Sequence, residues 1–334
     1  MNIGEKFAAL SSMIGSTPLL EISLKYKGEL RKIYVKAEYY NLTGSIKDRI
    51  ALHCMRKAYA KGTVKPGDII AEATSGNTGI AFSAVCSYLG YKVVIYMPDW
   101  MSSERINLIR SYGAEIRLVS KEEGGFVGSI AKTEEIAKEG GIFLPCQFSN
   151  EDNIEAHFTS TGPEIVKQLE KFGLIPDAIV AGVGTGGTVM GIGNFIKCIN
   201  PNAKVYPLEP ESSPTMSTGY RIGKHRIAGI SDEFIPALMK MDKVDGIIAV
   251  DDGDSIIMAQ MLSRQLGLGV GISSGANLLG ALKVGDLIGG NQTIVTIFSD
   301  DSKKYLSTDY VKEEPVKANF LTSQIELIGY KSVK

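Results

Sequence analysis

The chain has 334 residues, more than one compact core usually accommodates, so the length predicts two packed lobes. Hydrophobic residues make up 44% and charged residues 22%, the ordinary mix of a folded globular protein. The net charge of −1 argues against nucleic acid or an anionic membrane as the main partner, because both favour a positive excess.

The cysteines and the N-terminus exclude several further classes. The cysteines lie far apart, show no CxxC spacing and do not cluster with the three histidines. We therefore expect neither a metal site nor a disulfide framework, and a reducing cytoplasm fits this usage. The first thirteen residues carry both charges, so we expect no signal peptide, and no apolar run approaches the length of a membrane span.

Short apolar runs alternate with amphipathic segments of helix length, which predicts crossover connections and parallel sheets. The predicted strands are 33–35, 69–70, 93–97, 116–119, 178–180, 205–208, 247–250 and 294–298. The predicted helices are 48–59, 78–88, 103–112, 131–138, 188–199, 255–266 and 276–284. From about Lys312 the chain is charged and is expected to be less regular. Ligands of open parallel sheets bind at the carboxyl ends of strands, so the loops there are candidate sites.

The first candidate is Lys47, in the first turn of a predicted helix after the polar loop 40–45. A cation there opposes the helix dipole, which favours a lowered lysine pKa of the kind that Schiff-base chemistry needs. The alternative is an ordinary solvated lysine at a helix end.

The second candidate is the segment 72–79, which follows a strand and opens a helix. Its small polar side chains and free backbone N–H groups would form a neutral site for an anion. An ordinary helix cap at Ser75 or Asn77 is the alternative.

The third candidate is the glycine-rich segment 182–188, which is typical of a phosphate site at a helix N-terminus. The spacing of Gly182, Gly184 and Gly187 also satisfies the dinucleotide pattern, and Glu209 lies where a ribose-binding acid would follow. A nicotinamide-dependent dehydrogenase therefore stays open from this loop alone, as does a glycine-rich turn without a ligand. A second anion site at 72–79 favours an amino-acid enzyme, which needs one site for a cofactor phosphate and one for a substrate carboxylate.

Together these motifs resemble the fold type II pyridoxal phosphate enzymes, specifically the cysteine synthase and cystathionine β-synthase group. The residues that carry the resemblance, in order, are 14–19 (IGSTPL), 45–49 (SIKDR), 74–79 (TSGNTG), 97–98 (MP), 147–148 (QF), 161–164 (TGPE), 184–188 (GTGGT), 271–275 (GISSG) and 305–308 (YLST). The resemblance implies an α/β fold of two lobes, similar to tryptophan synthase β, with parallel-rich sheets flanked by helices and the cofactor between the lobes. The small lobe would span 40–150, and the large lobe 1–39 and 151–334.

The resemblance also implies a role for each matched position. Lys47 would hold pyridoxal 5'-phosphate through a Schiff base and later move protons at the substrate α-carbon. The other cofactor-binding residues would be Gly184, Thr185, Gly186, Gly187 and Thr188 at the phosphate, Ser273 at the pyridine nitrogen and Asn77 at the ring hydroxyl. The carboxylate of a small L-amino acid substrate would bind Thr74, Ser75, Asn77, Thr78 and Gln147.

The sequence departs from the family pattern at three places. Leu42 and Ala73 replace prolines that are common in the family. The sharper departure is 229–236, where Asp232 and Glu233 enter a loop that lines the pocket near the reacting β-carbon in relatives. A carboxylate there would repel bisulfide, and it could exchange a proton with water or a thiol. We expect Asp232 to be this acid/base, with Glu233 pointing away.

We therefore hypothesise an enzyme of β-elimination and β-replacement that consumes L-cysteine and releases hydrogen sulfide. Water as the nucleophile would give L-serine, and a second cysteine would give lanthionine. The alternatives are an O-acetylserine sulfhydrylase, which makes L-cysteine from O-acetylserine and sulfide, and a cystathionine β-synthase-like activity. The family suggests a homodimer. A serine acetyltransferase tail is a possible partner in such enzymes, but the two acids disfavour it here.

Overall fold

The computed structural model describes residues 1–220, 222–231 and 233–334. The strands are β1 Leu19–Tyr26, β2 Glu29–Ala37, β3 Ile69–Ala73, β4 Lys92–Pro98, β5 Glu115–Val119, β6 Ile142–Phe143, β7 Ala178–Gly182, β8 Lys204–Pro210, β9 Ile248–Val250, β10 Ile294–Phe298 and β11 Ile325–Val333. The helices are α1 Ile3–Met13, α2 Lys47–Ala60, α3 Asn77–Leu89, α4 Ser103–Ser111, α5 Gly125–Ala137, α6 Asp152–Ala156, α7 Gly162–Glu170, α8 Gly187–Ile199, α9 Thr215–Thr218, α10 Asp252–Leu266 and α11 Ile272–Ile288. A single π-helical turn, His157–Thr161, joins α6 to α7.

The smaller sheet has the strand order β5-β4-β3-β6, and all its neighbouring pairs are parallel. Apolar side chains of β3 and β4, such as Ile70 and Ile95, are fully buried against α2 and α3, where Met55 and Phe82 face them. Helix α1 joins the same core through Phe7 and Leu10. These short apolar strands fit the usual pattern of a parallel sheet covered by helices.

The larger sheet has the strand order β11-β1-β2-β10-β7-β8-β9. Strands β2, β10, β7, β8 and β9 run parallel, whereas β1 pairs antiparallel with both β2 and β11. The buried residues of α10 and α11 pack on one face of this sheet, and those of α7 and α8 pack on the other. The sheet is therefore covered on both faces, as expected for an α/β fold.

The predicted fold class is confirmed, and a strand or helix is present at each predicted position. The expectation of a less regular chain from about Lys312 holds only to Phe320, because residues 321–324 form a 3₁₀ turn and residues 325–333 form β11. Residues 325–328 of this edge strand alternate between buried and exposed, and the strand pairs with β1 from Leu19↔Val333 to Tyr26↔Ile325, with a register shift between Ser23 and Leu24. The lobe boundaries at 39/40 and 150/151 stay a prediction.

The carboxyl ends of three parallel strands position the candidate site. Strand β3 leads into the loop 74–76, β7 into the loop 183–186, and β10 into residues 299–301. The first two loops are followed directly by the N-termini of α3 and α8, whose free backbone N–H groups favour anions.

Candidate active site

A cleft of about 810 Å³, including the solvent at its mouth, lies where these loops converge. The predicted site residues that line it are Lys47, Thr74, Ser75, Asn77, Thr78, Gln147, Gly184, Thr185, Gly186, Thr188 and Ser273. They come from five separate stretches of sequence. Gly187 does not line the cleft, and Asp232 lies outside the described residues.

Lys47 is the first residue of α2, and its side chain is half-buried in the cleft wall. The loop before it is fixed from both sides. The Ile46 N–H donates to the Ser299 carbonyl at 2.9 Å, and the Thr43 N–H and hydroxyl donate to the Asp48 carboxylate at 2.7 and 2.5 Å. Burial raises the pKa of Asp48 to about 6, despite the hydrogen bonds from Thr43.

A buried ion network lies behind Lys47 and holds the first turn of α2. The Arg49 guanidinium pairs with Glu38 at 2.6 Å and with Glu164 at 2.8 Å, and Lys36 also reaches Glu164 at 2.8 Å. Burial would raise the pKa of Glu38, but the charge and hydrogen bonds of Arg49 outweigh it, and the pKa falls to about 2. Because each charge has a partner, the network can be buried without leaving an isolated ion.

The loop 74–78 and the residue before it are hydrogen-bonded to the Gln147 side chain. The Thr78 hydroxyl donates to Gln147 Oε1 at 2.6 Å, and Gln147 Nε2 donates to the Ala73 carbonyl at 2.8 Å. Behind them, the Glu72 carboxyl accepts from the Ala73 and Gln147 backbone N–H groups at 3.0 and 3.3 Å. Burial raises the pKa of Glu72 to about 8, although both hydrogen bonds oppose the shift. A neutral carboxyl at this position leaves the adjoining anion site free of negative charge.

Asn77 connects this loop to the strand end of the larger sheet. Its Nδ2 donates to Asp300 Oδ2 at 2.7 Å, and the Tyr305 hydroxyl donates to the same oxygen at 2.6 Å. Within the described residues, the buried Asn77 Oδ1 has no hydrogen-bond partner. A buried amide oxygen without a partner is costly, so this atom is a candidate ligand contact.

The phosphate loop has the geometry of an anion site. Gly186 lies at φ +85°, in the left-handed region that favours glycine, and α8 begins directly after it. A Cβ at Gly184 would lie 2.6 Å from the Gly229 carbonyl oxygen, so the backbone is in close contact there. Gly187 instead backs onto the Asn153 side chain, whose Nδ2 donates to the Thr185 hydroxyl at 2.9 Å. Gly187 therefore supports the loop from behind.

The residues of the cleft fit a phosphorylated pyridine cofactor. The N-terminus of α8 and the hydroxyls of Thr185 and Thr188 offer donors for a phosphate. A lysine, a buried amide oxygen and the Ser273 hydroxyl line the remaining wall, where an aldehyde, a ring hydroxyl and a ring nitrogen would need partners.

Glu209 does not serve the cleft. Its buried carboxylate accepts from the Met216 and Ser217 backbone N–H groups at 2.7 and 3.3 Å, which caps α9. The acid that the dinucleotide pattern would assign to a ribose therefore has an internal structural role.

An outer vestibule of about 1,490 Å³, including open solvent, leads from the cleft to the surface. Its wall includes Trp100, Arg105, Lys121, Lys224, Arg226 and Glu233. Ser231, at φ +52°, also borders it, so both described neighbours of Asp232 lie on this wall. Glu233 was expected to point away from the pocket; the structure places it on the vestibule wall.

Sequence reasoning missed Arg105 and Asp300. Arg105 lines both the cleft and the vestibule, and Asp300 orients Asn77. The only local signal for Arg105 is a cation in the first turn of α4, an unfavourable place for one. Asp300 follows β10 and could have been found as a polar residue at a parallel strand end.

Comparison with known proteins identifies the family. The model of the family described as pyridoxal-phosphate dependent enzyme matches residues 10–300. The chain belongs to this family. Its cofactor is pyridoxal phosphate, and the nicotinamide alternative is excluded.

Individual relatives extend this result. A hydrogen sulfide-producing enzyme of Fusobacterium nucleatum is 57% identical, with a TM-score of 0.95 and coverage of 99% of this chain and 100% of that one. Its D232N mutant in complex with an α-aminoacrylate intermediate matches at 58% identity and a TM-score of 0.95, covering 97% of both chains. A cysteine synthase of Staphylococcus aureus is 42% identical over 299 residues, which are 90% of this chain and 95% of the relative. The chain is thus a pyridoxal phosphate-dependent enzyme of cysteine metabolism.

The described residues contain neither a cluster of metal ligands nor a membrane-spanning helix. No group of three or more His, Cys, Asp or Glu side chains in the ranges 1–220, 222–231 and 233–334 could hold a metal ion. In the same ranges, no helix is both long and apolar enough to cross a membrane.

Proposed function

We propose that this enzyme consumes L-cysteine and releases hydrogen sulfide, with L-serine or lanthionine as the second product. The observation that carries the proposal is the full-length similarity, at 57–58% identity, to an enzyme named for hydrogen sulfide production. The cysteine synthase relatives match at 42% identity over 90% of the chain. The acidic pair Asp232 and Glu233, of which Glu233 lies on the vestibule wall, supports the same direction of reaction.

Each group of residues in the cleft has a separate role in the proposed reaction. Bound pyridoxal phosphate supplies the electron sink that lets the β-substituent leave. Lys47 attaches the cofactor and moves the proton at the substrate α-carbon. The loop 74–78 and Gln147 bind the substrate carboxylate with neutral donors, while the loop 184–188 binds the phosphate. Ser273 would offer the pyridine nitrogen a neutral hydroxyl, which would leave the electron sink moderate.

Asp232 is the proposed acid/base for the β-carbon. Its described neighbours, Ser231 and Glu233, border the vestibule through which a nucleophile would enter. A carboxylate there disfavours entry of bisulfide and can take a proton from water or a thiol. The D232N mutant of the Fusobacterium enzyme was obtained with an α-aminoacrylate intermediate, which supports a role for an aspartate after the leaving group departs.

Cysteine synthesis from O-acetylserine and sulfide is the second candidate, favoured by the names of the 42% identical relatives. A cystathionine β-synthase-like replacement would use the same cleft with a larger thiol. In all of these reactions an amino acid carboxylate would bind at 74–78. They differ in the nucleophile that enters through the vestibule: water or cysteine, sulfide, or a larger thiol.

Paired assays of the holoenzyme separate the candidates. One assay supplies L-cysteine alone, and the other supplies O-acetylserine with sulfide; products are identified by mass spectrometry. We expect a higher kcat/KM with L-cysteine and a loss of about 100-fold or more in Asp232→Asn, the range of acid–base catalysis. Glu233→Gln is the neighbouring control and should change the rate much less. Faster cysteine synthesis, with an unaffected Asp232→Asn variant, would overturn the proposal.

We further propose that the enzyme is a cytoplasmic homodimer, as the family resemblance and the cysteine usage suggest. Light scattering coupled to size-exclusion chromatography should give twice the chain mass of 36.0 kDa.

A further inference from the structure

Arg105 is a buried cation at the boundary between the cleft and the vestibule. Only 7% of the side chain is exposed, and it lies in the first turn of α4, where the helix dipole also disfavours a positive charge. Its Cδ and Nε lie against Gly76: a Cβ there would approach them to 2.5 and 2.7 Å. The guanidinium therefore lies directly beside the loop 74–78.

No carboxylate within ion-pair distance of Arg105 is found in the described parts of the chain. Its guanidinium lies 5.1 Å from the ring centre of Tyr305, and its buried Nε has no hydrogen-bond acceptor among the described residues. A buried guanidinium without an anionic partner is costly, and a ring contact offsets only part of that cost. This arrangement indicates that an anionic ligand completes the site.

Among the described residues, cations outnumber carboxylates on the vestibule wall around Arg105. Lys121, Lys224 and Arg226 line it, and Glu233 is the one carboxylate among its described lining residues. Arg226 is engaged by Glu314 at 2.6 Å, whereas Lys121 lies 5.5 Å from the ring centre of Trp100. Arg105 therefore offers a counter-charge to the carboxylate of a ligand that occupies the vestibule.

We propose that Arg105 binds the carboxylate of a second, thiol-bearing substrate, so that the vestibule is an acceptor site for anionic thiols. The inference rests on the proposed function and specifies its nucleophile. In each turnover, the acceptor sulfur forms a bond to the β-carbon and the donor's C–S bond breaks. The donor sulfur leaves with the acceptor's thiol proton as hydrogen sulfide. The products are a thioether amino acid and one equivalent of sulfide.

The test compares two acceptors of similar size, 3-mercaptopropionate and 2-mercaptoethanol, with L-cysteine as the donor. Thioether formation is measured by mass spectrometry, and the ratio of the two rates is compared between enzymes, which cancels the intrinsic reactivity of the thiols. The ratio is the rate with 3-mercaptopropionate divided by the rate with 2-mercaptoethanol. We expect this ratio to be about tenfold higher in the wild type than in Arg105→Gln, the effect of one charge-assisted hydrogen bond. The exposed Arg110→Gln, in the same helix, should retain the wild-type ratio.

One outcome of this comparison overturns the proposal, namely equal ratios in the wild type and Arg105→Gln. The proposal fails in that case even if the KM of the donor rises in Arg105→Gln, because that pattern places Arg105 at the donor carboxylate. If L-cysteine proves not to be a donor, the proposed function fails, but the same comparison with O-acetylserine as donor still tests Arg105.

A binding measurement covers the case in which Arg105→Gln has no turnover. Trp100 is the only tryptophan of the chain and lines the vestibule, so its fluorescence in the holoenzyme reports occupancy there. We expect propionate, but not 1-propanol, to give a saturable change in the Trp100 fluorescence of the wild type. The apparent Kd for propionate should be about tenfold weaker in Arg105→Gln. The same Kd in both enzymes, or no saturable change in the wild type, would contradict an anion site at Arg105.

Discussion

The Asn77 amide donates to the Asp300 carboxylate at 2.7 Å, across 223 residues of sequence. The contact joins the start of α3, on the smaller sheet, to the end of β10, on the larger sheet. Because a carboxylate oxygen accepts this hydrogen bond, Asp300 fixes the Asn77 amide with Nδ2 toward itself and leaves Oδ1 for a ligand. The amide orientation inside the cleft is therefore set by a residue at the end of the larger sheet.

Replacing Asp300 with alanine should release the Asn77 amide. We expect kcat/KM for the amino acid substrate to fall by about tenfold, the loss of one positioned hydrogen bond, together with a shift in the absorption spectrum of the bound cofactor. Steady-state rates and visible spectra of the holoenzyme measure both. Tyr305→Phe removes only the second donor to Asp300 and should give a smaller change. A wild-type spectrum and rate in Asp300→Ala would refute this positioning role.

Replacing Gly184 with alanine should weaken cofactor binding. The added Cβ would meet the Gly229 carbonyl oxygen at 2.6 Å, so either the phosphate loop or residue 229 must move. We expect the affinity of the apoenzyme for pyridoxal phosphate to fall by about tenfold or more. Titration of the apoenzyme measures it. Gly329→Ala is the control, since a Cβ at that position would have no atom within 4 Å and the φ of Gly329 is not positive; equal affinities for the two variants would contradict the prediction.

Stability should fall as the pH rises through the titration range of Glu72. Its pKa is raised from 4.5 to about 8 in the folded protein, so folding favours the neutral form. The contribution to stability is complete below pH 4.5 and is lost as the pH approaches and passes 8. The loss should reach about 3–5 kcal/mol at high pH.

Urea unfolding at a series of pH values tests this, with Glu72→Gln as the matched variant that cannot ionise. The difference in free energy of unfolding between wild type and variant should decline steadily over this range. Parallel pH profiles would show that Glu72 does not carry the effect. Asp48, whose pKa burial raises to about 6, contributes equally to both proteins and cancels in the difference.

Breaking the buried network behind Lys47 should destabilise the fold strongly. Arg49→Met leaves Glu38 buried without its guanidinium partner, and removing one partner of a buried ion pair typically costs about 3–5 kcal/mol. Denaturant unfolding measures the change in the free energy of unfolding. Lys132→Gln removes an exposed pair with Glu123 and should have little effect. A similar small change in both variants would be inconsistent with this role for Arg49.

Local sequence patterns predicted the parallel strands because these are short apolar runs buried on both faces, as at 93–97 and 294–298. They did not predict β11, since only its first four positions alternate between buried and exposed, residues 330–332 are all exposed, and its partner β1 lies about 300 residues earlier. Motifs that are contiguous in sequence, such as 74–79 and 184–188, do converge on one cleft. Arg105 and Asp300 could not be assigned because their significance depends on contacts with Tyr305 and Asn77, about 200 residues away.

The most direct test of the account is to locate the covalent attachment of the cofactor. Borohydride reduction of the holoenzyme, followed by proteolysis and mass spectrometry, identifies the modified lysine. The account predicts a reduced pyridoxyl group on Lys47, and a Lys47→Ala enzyme that binds no cofactor covalently and has no turnover. A label on a different lysine, or full activity of Lys47→Ala, would contradict it.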